Sequence, residues 1–206
     1  MTHRRPEDKD ASIGWARDVM SRLNDWVVWD TETTGLGRRA EIIQIGVLAP
    51  DGSVLLDSLV RPLGRKTMPR DLAAIHGVSI KTLAGAPSYP ELLPTLIKTL
   101  KGKWVIAYNS EFEQRLLRQT AQRNGGRILS LSWSCAMLQY SRFVGEWMEE
   151  KRGYSWQRLP DAGHNAVADC RATLELVQMM ATTPPLIVHD DGGNCSDRYA
   201  HGSDFG

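Results

Sequence analysis

The chain has 206 residues, of which 42% are hydrophobic and 24% charged, and its formal net charge is only +1. This length and composition are typical of one globular domain with short tails. A protein that coats long duplexes usually carries a large basic excess, because its affinity comes from neutralising phosphates. The charge excludes that class, so any nucleic acid bound here is expected to be held over a few nucleotides.

Nothing in the sequence predicts secretion or membrane insertion. No apolar run approaches the roughly 18 consecutive residues that predict a membrane span. The charged segment 3–10 is not followed by an apolar run, so we expect no secretory signal. The three cysteines, Cys135, Cys170 and Cys195, are widely spaced and form no CxxC pair, which argues against a disulfide framework or a zinc site. We therefore expect a cytoplasmic protein without a membrane partner.

Hydrophobic periodicity divides the chain into helices and strands. The apolar run over 26–29 ends in Asp30, which is typical of a buried central strand. A turn over 49–52 joins two β-rich runs into a hairpin. The predicted elements are a helix over 11–24, strands over 26–30, 41–48 and 53–61, a short helix over 69–75, a helix over 91–100, a strand over 103–108, and helices over 111–123, 136–149 and 165–180.

This order of elements predicts an α/β domain with a mixed sheet. Residues 152–163 are rich in Gly, Tyr and Trp and are expected to form a loop. We expect an N-terminal helical extension over 1–24 and a main domain over 25–181. Residues 182–206 contain few apolar side chains and are expected to form a disordered tail.

Two carboxylates stand at the end of the first predicted strand. Asp30 and Glu32 point to the same face, because side chains alternate along a strand. At a separation of ~4 Å and an effective dielectric constant near ~20, two like charges repel by about 4 kcal/mol. The motif contains no Lys or Arg to offset this repulsion, so a divalent cation is the expected partner. A solvated strand end followed by a Thr-Thr-Gly turn is the alternative explanation.

A second acidic segment follows the predicted strand over 103–108. Asn109 or Ser110 is expected to cap the next helix, and Glu111 and Glu113 in its first turn suit the positive end of the helix dipole. Capping alone explains both glutamates.

A third segment begins the last predicted helix. Asp169 lies on its core-facing side, where an acid is costly unless it is paired or bound to a metal. His164 precedes Asp169 by five residues, which is about 140° around an ideal helix. We therefore expect His164 in the preceding loop, where it becomes a candidate general base once the other two motifs are considered.

Together these motifs resemble the DEDDh branch of the DnaQ-like 3′→5′ exonuclease superfamily. The residues that match its D-x-E, T-G and H-x4-D patterns are Asp30, Glu32, Thr34, Gly35, His164 and Asp169. Segments 75–78, 86–89 and 143–147 are also similar. The resemblance covers about residues 26–180 and is greatest to stand-alone bacterial and phage-type exonucleases. It implies an α/β, RNase H-like fold with a mixed five-stranded sheet flanked by helices.

One residue departs from the family pattern. The second motif of the family ends in Phe-Asp, whereas Phe112 is followed here by Glu113. The longer side chain can still reach a metal ion or its water ligand, and reduced or manganese-favouring activity is expected. Glu111 is a poor substitute, because it lies about 200° away around the helix.

The matched residues imply a hydrolysis that depends on two divalent ions, Mg²⁺ or Mn²⁺, which activate water and stabilise the leaving 3′ oxygen. The expected metal ligands are Asp30, Glu32, Asp169 and Glu113. His164 is expected to accept the proton of the attacking water. The residues expected to bind the terminal nucleotide are Thr33, Thr34, Gly35, Leu36, His76, Asn109 and Phe112.

The expected partner is the 3′ end of a nucleic acid, DNA rather than RNA and single-stranded or frayed, with a polymerase or repair complex as a further candidate. One alternative is a weakly active or inactive module of the same fold that binds nucleic-acid ends or a partner. Another is an RNA-directed exonuclease. His164 favours an enzyme, because a pure binding protein has no use for a base there. Four aromatic residues are expected mainly to pack, with base stacking as the alternative: Trp133, Trp147, Tyr154 and Trp156.

Overall fold

The computed structural model describes residues 5–64, 77–163 and 165–186. The predicted helix over 69–75, His76, His164 and residues 187–206 of the predicted tail lie outside the described residues. The elements, in chain order, are α1 (Pro6–Ser21), β1 (Trp26–Thr33), β2 (Ile42–Leu48), β3 (Val54–Leu59), α2 (Ile80–Leu83), α3 (Tyr89–Leu100), β4 (Trp104–Ala107), α4 (Ser110–Arg123), β5 (Ser132–Cys135), α5 (Ala136–Val144), β6 (Trp147–Met148), a 3₁₀ turn (Glu149–Lys151), β7 (Gly153–Tyr154) and α6 (Ala166–Thr182).

Five strands form one mixed sheet in the order β3-β2-β1-β4-β5. The predicted hairpin is present, since β2 is antiparallel to both β1 and β3. β4 is parallel to β1, and β5 is parallel to β4. β1 is therefore the central strand, and the predicted α/β fold with a mixed five-stranded sheet is confirmed.

Alternate residues of β1 belong to two apolar cores. Val27 and Trp29 pack with α3 and α4 on one face of the sheet. Trp26 and Val28 pack with α1 and α6 on the other face. Because side chains alternate along a strand, Asp30 continues the face that α6 covers.

The predicted helix over 136–149 is too long. α5 ends at Val144, and Gly145 adopts the left-handed conformation with φ 79° and donates its N–H to the Ser141 carbonyl at 3.0 Å. This is a common way for a helix to end, because glycine tolerates positive φ. The chain then forms a small hairpin in which Trp147 pairs with Tyr154, so part of the predicted loop over 152–163 is a strand.

α1 begins at Pro6, five residues before the start of the predicted helix. The prediction began too late because the first turn of α1 is polar and shows no apolar periodicity. Ile13, Ala16 and Val19 are buried against the rest of the protein. The Trp15 indole N–H donates to Ser134 Oγ at 3.2 Å, which ties α1 to β5. The predicted division into extension, domain and tail stays a prediction.

Among the described residues, no helix is both long and apolar enough to cross a bilayer. The cytoplasmic location stays a prediction.

Candidate active site

Three of the predicted acids meet at the carboxyl end of β1. Asp30 and Glu32 belong to β1, and Asp169 lies in the first turn of α6. All three are half-buried, and one carboxylate oxygen from each lies within 4.8 Å of the others. This spacing of oxygen ligands suits a hard divalent cation.

The charged form of this cluster is unfavourable. Burial, together with the charges of Glu113, Asp169 and Glu32, raises the pKa of Asp30 well above its ordinary range. Burial and the charge of Asp169 raise the pKa of Glu32 to about 7. In the described part of the chain, neither Asp30 nor Glu32 forms an ion pair with an arginine or lysine. A bound cation would offset this repulsion.

Gly46 lets α6 approach the sheet beside Asp30. The two residues are directly opposite each other in the register of β1 and β2. A Cβ on Gly46 would lie 2.7 Å from the carbonyl carbon and oxygen of Ala166. The Cys170 thiol of α6 also donates to the Gly46 carbonyl at 3.4 Å. A larger side chain at position 46 would therefore push the start of α6 away from β1.

Two polar side chains fix the start of α6. Asn165 caps the helix, because its Oδ1 accepts the Ala168 N–H at 2.9 Å. Gln44 lies opposite Glu32, and its Oε1 accepts the Ala166 N–H at 3.5 Å. The helix that carries Asp169 is thus anchored both by its own cap and by β2.

The loop before α6 orients Asp169 directly. The Gly163 N–H donates to Asp169 Oδ1 at 2.7 Å, so one oxygen of this carboxylate is held by the backbone. His164 is the next residue, and it lies outside the described residues. Its role as a general base stays a prediction.

Glu113 takes a position different from that of the other acids. It is 4% exposed, and its Oε2 accepts the Trp29 indole N–H at 3.0 Å and the Thr31 hydroxyl at 2.7 Å. Burial raises the pKa of Glu113 to about 8, although these two hydrogen bonds act in the opposite direction. Within the described residues, Glu113 does not join the three-acid cluster, but its charge raises the pKa of Asp30.

In the turn after β1, the two threonines are occupied by the backbone, whereas Leu36 is exposed. Thr34 is fully buried, and its N–H and Oγ1 bond to the backbone of Glu41 at 2.9 and 3.0 Å. The Thr33 hydroxyl donates to the Gly35 carbonyl at 2.8 Å. Leu36, in contrast, is 74% exposed. The two threonines therefore shape the turn, and Leu36 presents its side chain outward.

α4 is joined to this turn through Arg115. Asn109 caps α4, as predicted, by accepting the Phe112 N–H at 3.2 Å. The guanidinium carbon of Arg115 lies 5.0 Å from the centroid of the Phe112 ring, and Arg115 Nη2 donates to the Leu36 carbonyl at 3.3 Å. Asn109 thus has a structural role, whereas Phe112 and Leu36 are brought to the same side of the molecule.

Sequence reasoning missed Gly46, Gln44 and Arg115. Gly46 did carry a signal, because a lone glycine in an otherwise apolar strand often marks a close backbone approach. The contacts of Gln44 and Arg115 depend on strand register and helix placement, and no local pattern indicates them.

Residues 27–177 match the family model described as exonuclease, of the RNase T type. Because this match covers most of the chain, the protein belongs to the exonuclease family. It is 33% identical over 175 residues to an uncharacterised exonuclease, CP81, of Escherichia phage 186, with 77% of this chain and 89% of the phage protein covered. It is 29% identical over 169 residues to the PolC-type DNA polymerase III of Thermotoga maritima, which covers 75% of this chain but only 12% of the polymerase.

Solved structures share the fold. The nuclease domain of 3′hExo, a DEDDh family member bound to rAMP, has a TM-score of 0.60 and 17% identity, and the likeness covers 78% of this chain and 93% of that one. Exonuclease X in complex with 5′-overhanging duplex DNA has a TM-score of 0.52 and 23% identity, with 78% and 95% covered. The predicted DnaQ-like family and RNase H-like fold are confirmed, and so is the prediction of an enzyme of the exonuclease class.

Proposed function

We propose that the protein is a metal-dependent 3′→5′ exonuclease that removes nucleotides one at a time from a nucleic-acid end. The observation that carries this proposal is the convergence of Asp30, Glu32 and Asp169 to within 4.8 Å. Family membership supplies the reaction class, and the acid cluster supplies a means of binding the metal on which the chemistry depends.

The residues present fit hard divalent cations, Mg²⁺ or Mn²⁺. Three carboxylate oxygens lie close together, and a bound cation would offset the repulsion between their charges. Asp30, Glu32 and Asp169 would hold the two ions, and we assign Glu113 a contribution to the second ion, through water. When bound, such ions lower the pKa of a water ligand and stabilise charge on phosphate oxygens.

The groups of the chain itself have separate tasks in this proposal. The Gly163 N–H fixes one oxygen of Asp169, and Trp29 and Thr31 fix one oxygen of Glu113. We assign His164 as the general base that accepts the proton of the attacking water, since imidazole titrates near neutral pH.

The proposed seat of the terminal nucleotide is the backbone of residues 33–36 with the side chains of Leu36 and Phe112, and His76 is assigned to the same seat. The exposed Leu36 and the half-buried Phe112, joined through Arg115, support this placement. Asn109 would contribute by holding the first turn of α4.

DNA is the proposed substrate, as a single-stranded or frayed end. It is supported by the likeness to PolC-type DNA polymerases and by Escherichia coli exonuclease I in complex with single-stranded DNA, at a TM-score of 0.60 and 14% identity, with 78% of this chain and 41% of that one covered. RNA is the second candidate, since a 3′-exonuclease that recognises a histone mRNA stem-loop shares the fold at a TM-score of 0.59. Because the chain resembles part of a PolC-type DNA polymerase, a polymerase is a candidate partner.

The test uses 5′-labelled single-stranded DNA and RNA of one sequence, each with Mg²⁺, Mn²⁺ or EDTA. We expect a ladder that shortens from the 3′ end with either ion, faster on DNA, and no product in EDTA. Asp30→Asn should abolish the ladder, whereas Asp25→Asn should not, because Asp25 is exposed at the other end of β1. Binding without any product would favour the alternative of a non-catalytic module.

A further inference from the structure

A cavity of about 270 Å³ opens between α4 and α5. Its walls include Phe112 and Arg115 from α4, Leu138 from α5, and Trp156 from the segment after β7. It lies at the carboxyl ends of β4 and β5, which run parallel to β1, and so at the edge of the sheet where the acid cluster lies. In α/β proteins this edge is where ligands usually bind.

Trp156 is 71% exposed, although the backbone around it is fixed. On one side, the Ser155 N–H donates to the Glu146 carbonyl at 2.7 Å. On the other side, the Gln157 carbonyl accepts the Tyr108 hydroxyl at 2.7 Å. The indole ring of Trp156 is thus exposed on a segment whose backbone is held in place. A base could stack on this ring without first ordering the segment.

Arg115 connects this cavity with the proposed nucleotide seat. It bonds to the Leu36 carbonyl through one nitrogen and lies over the Phe112 ring. A guanidinium has five N–H donors in a fixed geometry, so this arrangement leaves donors that suit a phosphate. Arg115 and Trp156 line the same cavity, so a phosphate and a base of one nucleic-acid strand could meet both.

We propose that this cavity binds an unpaired nucleotide upstream of the 3′-terminal one, with its base stacked on Trp156 and a phosphate bound by Arg115. The inference rests on the proposed function. It adds that Trp156 makes the enzyme prefer single-stranded ends. Aromatic side chains bind single strands by stacking largely without regard to base identity. A base inside a duplex cannot leave its stack to meet Trp156 without a cost, so paired ends should be poorer substrates.

The test compares two substrates that differ in whether they reach the cavity. One is a short single-stranded DNA oligonucleotide, and the other is the methyl ester of thymidine 5′-phosphate, whose methanol leaving group is too small to reach the cavity. Trp156→Ala should raise KM for the oligonucleotide about 5- to 150-fold, and Trp156→Phe should largely restore it. Neither variant should change hydrolysis of the ester. Leu23→Ala is the matched control, since Leu23 is 67% exposed at the opposite edge of the sheet.

An abasic residue placed at successive positions from the 3′ end identifies the contact. At one upstream position it should raise KM for the wild type but leave KM for Trp156→Ala unchanged, because the stacking partner is already absent. If the ester is hydrolysed and Trp156→Ala degrades the oligonucleotide like the wild type, the subsite is wrong. If the wild type hydrolyses neither substrate with metal, the proposed function itself fails.

Discussion

At the scale of single residues, Gly46 is where α6 meets the sheet. Gly46→Ala places a Cβ 2.7 Å from the Ala166 backbone, so α6 must shift and carry Asp169 with it. We expect the free energy of unfolding to fall by about 1–3 kcal/mol. A displacement on the order of 1 Å at a reacting centre costs about 100-fold in rate, so kcat/KM should fall by a similar factor.

Thermal unfolding and steady-state kinetics measure both effects. Gly14→Ala is the matched control, since nothing lies within 4 Å of the added Cβ and the residue is inside α1. This change should leave activity unchanged and stabilise the protein by up to about 1 kcal/mol. Normal activity in Gly46→Ala would show that α6 can move without affecting the acid cluster.

The side chain of Glu113 is long enough to accept hydrogen bonds from both Trp29 and Thr31. Glu113→Asp shortens the side chain, so the hydrogen bonds to Trp29 and Thr31 should be lost, at a cost of roughly 1–3 kcal/mol in unfolding free energy. The same change restores the aspartate of the family pattern, and we expect the ratio of activity with Mn²⁺ to activity with Mg²⁺ to fall. The measurement is kcat/KM with each ion. An unchanged ratio would mean that Glu113 does not set the ion preference.

The raised pKa values of the cluster make stability depend on pH when no metal is bound. The pKa of Glu32 rises from 4.5 to about 7 on folding, so the folded protein binds this proton more tightly than the unfolded chain does. The resulting stabilisation is fully present below pH 4.5 and is lost as the pH rises through about 7. Glu113, with a pKa of about 8, extends the loss further.

In EDTA, the Tm should therefore fall between about pH 5 and pH 9, and Mn²⁺ should restore it mainly at the alkaline end. Asp30→Asn removes one charge and should reduce the slope. A Tm in EDTA that does not vary over this range would contradict the electrostatic description of the site.

The individual acids were predictable from the sequence to different degrees. Asp30 and Glu32 share a face for reasons of strand geometry alone, and the cap formed by Asn109 follows from local preference. The partners of Glu113 were not predictable, because they require knowing that α4 packs on the Trp29 face of β1. Whether an acid joins the cluster therefore depends on how the helices pack on the sheet.

At the scale of elements, α1 packs with α6 and β1 in the core on the face of the sheet that contains Trp26 and Val28. Val19 is fully buried there together with residues of α6 and β1. Val19→Ala should lower the free energy of unfolding by roughly 2 kcal/mol, whereas Leu23→Ala, at an exposed position, should lower it little. Chemical denaturation measures the difference. Equal stability of the two variants would mean that α1 folds independently of the domain.

Strong periodicity made most elements predictable, and the exceptions have physical reasons. β5 was not predicted as a strand, since its four residues include only one large apolar side chain, Trp133. The predicted end of α5 was wrong because the apolar pattern continues past Gly145, where the backbone turns. β5 forms because it pairs with β4, and α5 ends because Gly145 adopts a positive φ. Hydrophobic spacing indicates neither of these.

At the scale of the whole molecule, the net charge of +1 limits how nucleic acid is held. Each phosphate that a protein neutralises on a single strand contributes about 0.7 to the slope of log affinity against log salt concentration. With Arg115 as the main proposed phosphate contact, we expect kcat/KM to fall with a slope of about 1 at constant Mn²⁺. A slope of about 5 or more would require a basic track along the protein that the proposed mode of binding lacks.

The acid cluster joins β1, near the start of the chain, to α6, the last described helix. During synthesis on a ribosome, Asp30 and Glu32 emerge long before Asp169, so an unfinished chain carries only two of the three acids. In the proposed mechanism, hydrolysis then has to wait until α6 docks on Gly46. Translation itself would thus keep the nascent enzyme from degrading nucleic acid until the domain is complete.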